Sequence, residues 1–300
     1  MARELAYTVL DVFAERALEG NALAVFHDAR GLSDAQMQAL ARETNLSETT
    51  FVLPSDDVAG DRVEGVRVRI FTAEEELSFA GHPTLGTASW LHLHYPALRG
   101  AETVKLRLKV GPVPVRFSLG EAGEDGSVYG TMRQPDVQFG QELNPSEVAS
   151  VLGVPARDML AGYAPQAVST GNPFCIAALA SVETLSRLAI PQREASAWLR
   201  ERGIRWFYCI APTEDPRTWR TRMQWMAGED PATGSAAGPC AAWLVRVGLV
   251  PSETIITIQQ GVEMGRPSRL MVQATGSGEQ ITDVQVGGRT VPVATGRFFL

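Results

Sequence analysis

Apolar and polar residues alternate in short runs over much of the chain, and a few stretches switch to helical spacing. Residues 7–13 and 23–26 read as strands on either side of a turn at Glu19-Gly20-Asn21. The run Leu32-Ser33-Asp34-Ala35-Gln36-Met37 announces a helix: Ser33 caps it, Gln36 completes a capping box, and Leu32 staples onto Met37. Met37, Leu40 and Ala41 give that helix one apolar face, and it is expected to stop before Thr44-Asn45. Residues 49–53 form the next strand, and Val66-Arg67-Val68-Arg69-Ile70-Phe71 alternates as a half-buried strand does. Residues 104–110 and 113–117 alternate likewise across a turn expected at Gly111-Pro112. Later helices start at Asn144-Pro145, where Glu147 is placed to complete a second capping box, and at Pro191, where Gly203 supplies the stop. The C-terminal residues return to strands. Hairpins interspersed with single helices point to an α+β fold rather than a doubly wound parallel sheet.

The chain also contains a diverged repeat. Gly20-Asn21 precedes one strand and Gly171-Asn172 another. At nearly equal distances downstream lie Gly81-His82-Pro83-Thr84-Leu85-Gly86 and Glu229-Asp230-Pro231-Ala232-Thr233-Gly234-Ser235-Ala236. Two related domains are expected, residues 1–120 and 121–290. The polar stretch from Gly120 to Gly126 is the linker candidate, and a final strand at about residues 291–300 returns to the first domain.

Both matched segments are expected to open helices, with Pro83 and Pro231 at the first helical position and residues 85–93 and 236–247 in buried helices. A helix N-terminus offers unpaired N–H groups and the positive end of the dipole, so two of them facing one cleft would clasp a small carboxylate. Gly86 and Gly234 would let a ligand approach the backbone there. The plainer reading is two capped core helices. His82 and Asp230 occupy matching places just before the prolines. Asp230 serves equally as an N-cap or as a catalytic group. Histidine is a poor capping type, which favours a chemical role for His82.

Composition narrows the partners. Hydrophobic residues make up 45% and charged residues 20%, ordinary values for a folded chain of 300 residues. The net charge of −7 argues against nucleic acid, which is held by a basic stripe. No apolar run reaches the ~20 residues of a membrane span, and the start, Met1-Ala2-Arg3-Glu4, lacks a signal-peptide core, so a cytoplasmic location is expected. Cys175, Cys209 and Cys240 are odd in number and widely spaced, which disfavours disulfides and a thiolate metal site. His92 and His94 are two apart on a helix and face different ways, so no metal is expected. Glu74-Glu75-Glu76 reads as a solvated loop, and Trp198, Trp225 and Trp243 as core or interface. No dinucleotide or Walker motif is present.

Four ordered segments carry a family resemblance: Asn45-Leu46-Ser47-Glu48-Thr49-Thr50-Phe51-Val52; Phe79-Ala80-Gly81-His82-Pro83; Gly228-Glu229-Asp230-Pro231-Ala232-Thr233-Gly234-Ser235-Ala236; and Gln260-Gly261-Val262-Glu263-Met264-Gly265-Arg266-Pro267-Ser268. Together they resemble the PhzF-like phenazine-biosynthesis isomerases. The resemblance implies the diaminopimelate epimerase fold, two pseudo-symmetric domains each with a mostly antiparallel sheet wrapped around a central helix. It also implies a homodimer without a cofactor, acting on a small carboxylate-bearing substrate, in the family trans-2,3-dihydro-3-hydroxyanthranilate. By that resemblance Glu48 is the general acid/base, His82 and Asp230 assist, and Ser47, Gly81, Gly234 and Ser235 hold the substrate. Taken alone, Glu48 would pass for a solvated strand-edge carboxylate. A single carboxylate can lift a proton from one carbon and return it to a neighbour on the same face, best when burial raises its pKa.

Ala73 stands where the family often has proline, which implies a local loop change. The thiol pair of the cofactor-free epimerases is missing from both helix starts, so a two-thiol racemase is disfavoured. An amino-acid epimerase or racemase using the Glu48 and Asp230 carboxylates is the alternative enzyme. A non-catalytic, small-molecule-binding dimer is the alternative outside enzymology.

Overall fold

Most strands pair antiparallel with their sequence neighbours, and in each half two parallel steps carry the chain past a helix. The structure is a computed structural model describing residues 3–118, 123, 125–226, 228–278 and 280–300. It divides into two compact units, Met1–Arg133 with Gly287–Leu300 (unit 1) and Gln134–Val286 (unit 2).

In unit 1, β1 (Glu4–Val12) pairs antiparallel with β2 (Asn21–Phe26), and α1 (Asp34–Thr44) leads to β3 (Glu48–Leu53), parallel to β2. After α2 (Val58–Glu64), β4 (Val66–Phe71) returns antiparallel to β3 and pairs with the short β5 (Glu76–Leu77). Helix α3 (Gly81–His94) then connects to β6 (Thr103–Leu108), parallel to β4, followed by β7 (Gly111–Phe117) and β8 (Val128–Arg133).

Unit 2 opens with β9 (Gln138–Glu142), α4 (Pro145–Leu152) and β10 (Gln166–Ser169), which pairs antiparallel with both β9 and β11 (Pro173–Ala178). Helices α5 (Val182–Ser186) and α6 (Gln192–Glu201) lead to β12 (Trp206–Pro212), parallel to β11. Then come β13 (Thr218–Trp225), β14 (Gly228–Asp230), α7 (Gly234–Arg246), β15 (Ile256–Gln260) parallel to β13, and β16 (Ser268–Ser277). The long β17 (Gln280–Phe299) ends in unit 1, where Glu4 to Val12 of β1 lie opposite Phe299 to Thr290, so the last strand returns to the first unit.

The two halves follow one plan, as the repeat implies. The registers Ile70–Leu77 and Phe71–Glu76 match Met223–Asp230 and Gln224–Glu229. Even an ion pair is duplicated. Arg69 donates from Nε and Nη2 to Glu76 at 2.8 and 2.6 Å, and Arg222 donates to Glu229 at 2.8 and 2.7 Å. This register corrects the sequence alignment of the halves: Gly81 matches Gly234 and His82 matches Ser235, not Asp230. Each helix begins five positions after its paired glutamate.

Both central helices are buried nearly all round, α3 from Gly81 to Leu91 and α7 from Gly234 to Val245 except Ser235. Small residues make this possible. A side chain at Gly86 would meet Leu23 Cδ2 at 2.6 Å and Val12 Cγ2 at 2.7 Å, so Gly86 serves close packing on β1 and β2 rather than ligand access. Buried hydroxyls bond back along the helix, Thr84 to the Ala80 carbonyl at 2.6 Å and Ser89 to that of Leu85 at 2.9 Å. A second layer covers the other face of each sheet. In unit 1, Met37, Leu40 and Ala41 of α1 pack with Phe26, Phe51 and Phe71. In unit 2, Val148, Leu185 and Leu199 pack with Cys175, Phe207 and Cys209. Strands covered on both faces read as continuous apolar runs, which explains β11 and β12.

Several local expectations change. The β6–β7 turn is Lys109-Val110, and Gly111 and Pro112 already belong to β7, opposite Leu108 and Arg107. Asn144 caps α4 through Ser146 and Glu147 N–H, but the Glu147 carboxylate reaches across to Trp198 Nε1 and Arg202 instead of closing the box. Glu76 is ion-paired with Arg69 and Lys109 rather than solvated. Helix α1 has both halves of its capping box and ends at Thr44, with Asn45 left-handed. The units divide between β8 and β9, because β8 pairs with β7. Of the linker candidate, Gly120, Glu121, Ala122 and Glu124 lie outside the described residues.

Arg222 also donates to the carbonyls of Leu185, Ser186 and Leu188, whereas Glu76 keeps Lys109 if Arg69 is lost. Removing one member of a buried pair strands the other, so Arg222→Met is expected to cost about 3–5 kcal/mol. Arg69→Met is expected to cost distinctly less. Urea midpoints of the two variants against the parent check the order.

Candidate active site

The singled-out residues fall into two groups, each placed at the start of a central helix. In unit 1, Gly20 adopts φ +67°, where an added Cβ would lie 2.4 Å from the Val12 carbonyl oxygen, and this turn delivers Asn21 to the first position of β2. The left-handed Asn45 ends α1 in the same way and sends the chain through Ser47 into Glu48, the first residue of β3, opposite Leu23. Gly81 and His82 are the first two residues of α3, whose N-cap is Ala80. His82 is therefore inside the helix, not its cap, and Pro83 is the third helical residue.

This placement brings Glu48 and His82 together: Oε2 of the half-buried carboxylate lies 3.4 Å from Nε2 of the imidazole. On the ring's other side, Asn21 Nδ2 lies 3.2 Å from Nδ1. Asn21 and His82 are only 1% and 4% exposed. Burial pushes the imidazole pKa down to about 3, so the ring is neutral at physiological pH and the contact is not an ion pair.

In unit 2, Asp230 is the last residue of β14, and Pro231, Ala232 and Thr233 intervene before Gly234 and Ser235 open α7. Thr233, not Asp230, is the N-cap, and Pro231 precedes the helix. A buried network holds this connection. Thr233 Oγ1 donates to Asp230 Oδ2 at 2.6 Å, and Gln260 Nε2 donates to the Asp230 carbonyl at 2.7 Å and to Thr233 Oγ1 at 2.8 Å. Gln260 Oε1 accepts from the Thr233 N–H at 3.1 Å and from Tyr208 at 3.0 Å. Gln134 Nε2 donates to the Gly234 carbonyl at 2.8 Å, and Pro239 has no N–H to give the Ser235 carbonyl.

Neither N-cap side chain closes onto its own helix, so capping does not consume the donors of either first turn. Sequence reasoning gives no chemical role to Asn21, Thr233, Gln260 or Gln134, although Asn21 marks the repeat, Thr233 lies in the third motif and Gln260 opens the fourth. All three cysteines are buried and free, and burial pushes the Cys209 thiol up to about 12. No group of three or more His, Cys, Asp or Glu side chains suited to a metal occurs among the described residues.

Mixed α/β units with polar residues at the starts of buried helices give the chain a fold similar to those of hydroxyproline epimerase and proline racemase structures. A hydroxyproline epimerase structure from Agrobacterium vitis shares the fold, with a TM-score of 0.66 at 12% identity over 99% of this chain and 93% of that one. The chain belongs to the phenazine biosynthesis-like (PhzC-PhzF) family, whose model matches residues 10–296, and it is an isomerase of that family. It is 40% identical to the trans-2,3-dihydro-3-hydroxyanthranilate isomerase of Pseudomonas aeruginosa, over 98% of this chain and 99% of that one. The PhzF-family phenazine biosynthesis protein structure of Bacillus anthracis aligns with a TM-score of 0.84 at 25% identity, over 99% of this chain and 100% of that one. No helix is long and apolar enough to cross a membrane among the described residues.

Because His82 is neutral when folded and titrates near 6.5 when unfolded, acid favours the unfolded chain. Stability is expected to fall as pH drops from 6.5 toward 3, with a contribution of at most about 1.4 kcal/mol per pH unit from this residue. His82→Gln should flatten that slope, measured as urea stability across the range, while His27 and His94, also lowered by burial, and the Arg-paired carboxylates Asp28 and Glu76 keep the remainder.

Proposed function

We propose that the protein isomerises a small cyclic carboxylate, trans-2,3-dihydro-3-hydroxyanthranilate or a close relative, moving a proton between ring carbons without a cofactor. The observation that carries this reading is the Glu48–His82 pair, a half-buried carboxylate 3.4 Å from a buried imidazole at a helix start. The 40% identity to an isomerase of that substrate supports it. Glu48 takes a proton as one C–H bond breaks and the double bond migrates. The same O–H then supplies the new C–H bond. Nothing is oxidised or reduced, so one carboxyl group balances the reaction. His82 and Asp230 assist by polar contact, and Ser47, Gly81, Gly234 and Ser235 donate to the substrate carboxylate and its ring substituents. The working form is a homodimer, as the family resemblance implies, in the cytoplasmic setting that the sequence composition favours.

Glu48→Gln keeps shape and hydrogen bonding but cannot take up the proton. It is expected to slow isomerisation and deuterium wash-in from D2O by on the order of 10²–10⁴-fold, with the fold retained. NMR of the substrate in D2O checks this, and parent-like exchange by the variant overturns the role. An amino-acid panel in the same assay tests the epimerase reading. Absence of exchange with every substrate, alongside tight binding, would favour a binding dimer.

A further inference from the structure

Asn21 belongs to no activity assigned so far, yet it is buried against the ring that faces Glu48. Its Nδ2 can only donate, so at 3.2 Å it requires His82 Nδ1 to accept. A neutral imidazole with a lone pair at Nδ1 carries its proton on Nε2, the atom 3.4 Å from Glu48 Oε2. We infer that Asn21 is a positioning residue that fixes His82 as the Nε2–H tautomer, so that the ring donates toward the Glu48 carboxylate and cannot accept a proton from it. The inference rests on the role of Glu48 proposed above.

The repeat sharpens the point. Asn172 occupies the equivalent place before β11, but its Oδ1 lies 3.4 Å from Arg205 Nη1 in an exposed pair. The helix position matching His82 is Ser235. The asparagine is present in both halves, and only the half carrying the histidine has turned it inward. The chemical consequence concerns where the migrating proton can go. With Nε2 already protonated and Nδ1 occupied, the imidazole offers no vacant site beside Glu48. The proton taken from substrate carbon therefore passes to no second protein base beside Glu48, and the carboxyl group that returns it to the neighbouring carbon trades it only with solvent.

The test reads the tautomer directly, without substrate. In protein labelled with ¹⁵N-histidine at pH 7, His82, assigned by its absence from His82→Gln, is expected to show a protonated Nε2 and an unprotonated Nδ1. Asn21→Asp presents a carboxylate that accepts from Nδ1–H, so the proton is expected to appear on Nδ1. The turnover number should then fall on the order of 10²-fold, with KM little changed, because binding groups are untouched. Asn172→Asp should leave both the spectrum and the rate as in the parent. A parent His82 protonated on Nδ1 or doubly protonated overturns the inference, as does an unchanged rate in an Asn21→Asp protein whose tautomer has switched. Activity retained by Glu48→Gln overturns the proposed acid/base role and leaves the tautomer measurement to stand separately.

Discussion

A helix buried on nearly every side is the constraint from which the rest of each unit follows. Such a helix cannot use an amphipathic face to choose its position, so the sheet must wrap it, and its own residues must be small where strands come close. Gly86 against Val12 and Leu23 shows the tolerance, with no room for even a methyl group. Polar side chains inside must be satisfied locally, as Thr84 and Ser89 are. The helix starts remain polar, and there the chain collects the residues of its chemistry.

The duplicated plan then shows what each half has done with the same scaffold. The Arg69–Glu76 and Arg222–Glu229 pairs anchor the short strand before each central helix. Beyond that point the halves part. Unit 1 places a carboxylate and a neutral imidazole at its helix start. Unit 2 places a serine there and holds an aspartate in a mesh of Thr233, Gln260 and Tyr208. A low-dielectric setting penalises any unpaired member of the unit 2 mesh, and there Thr233 and Gln260 are each tied to defined partners.

Much of this was legible in the sequence. Local signals were the most reliable: the Ser33–Gln36 box, the β4 alternation and the Gly203 stop each depend on a few adjacent residues. The repeat was legible from the Gly-Asn and helix-start segments, but its register was five residues out. Matching Pro83 to Pro231 misaligns the halves, because the strand pairing aligns Glu76 with Glu229. The N-cap reading of Asp230 fails for the same reason, since Thr233 is the cap. Glu147 and Glu76 found partners distant in sequence, Arg202 and Lys109, which no local pattern encodes. The residues behind the candidate site, Asn21, Thr233, Gln260 and Gln134, are uncharged and far apart along the chain. Only the fold brings Asn21 to the start of α3 and the other three to the start of α7.

The central claim is that one carboxylate carries the proton from carbon to carbon. A substrate bearing deuterium at the carbon that loses its proton, turned over once in ordinary water, tests it most directly. The account predicts that part of the label reappears at the receiving carbon with the parent protein, and that Glu48→Gln yields no labelled product. Labelled product formed by Glu48→Gln at the parent rate would contradict it.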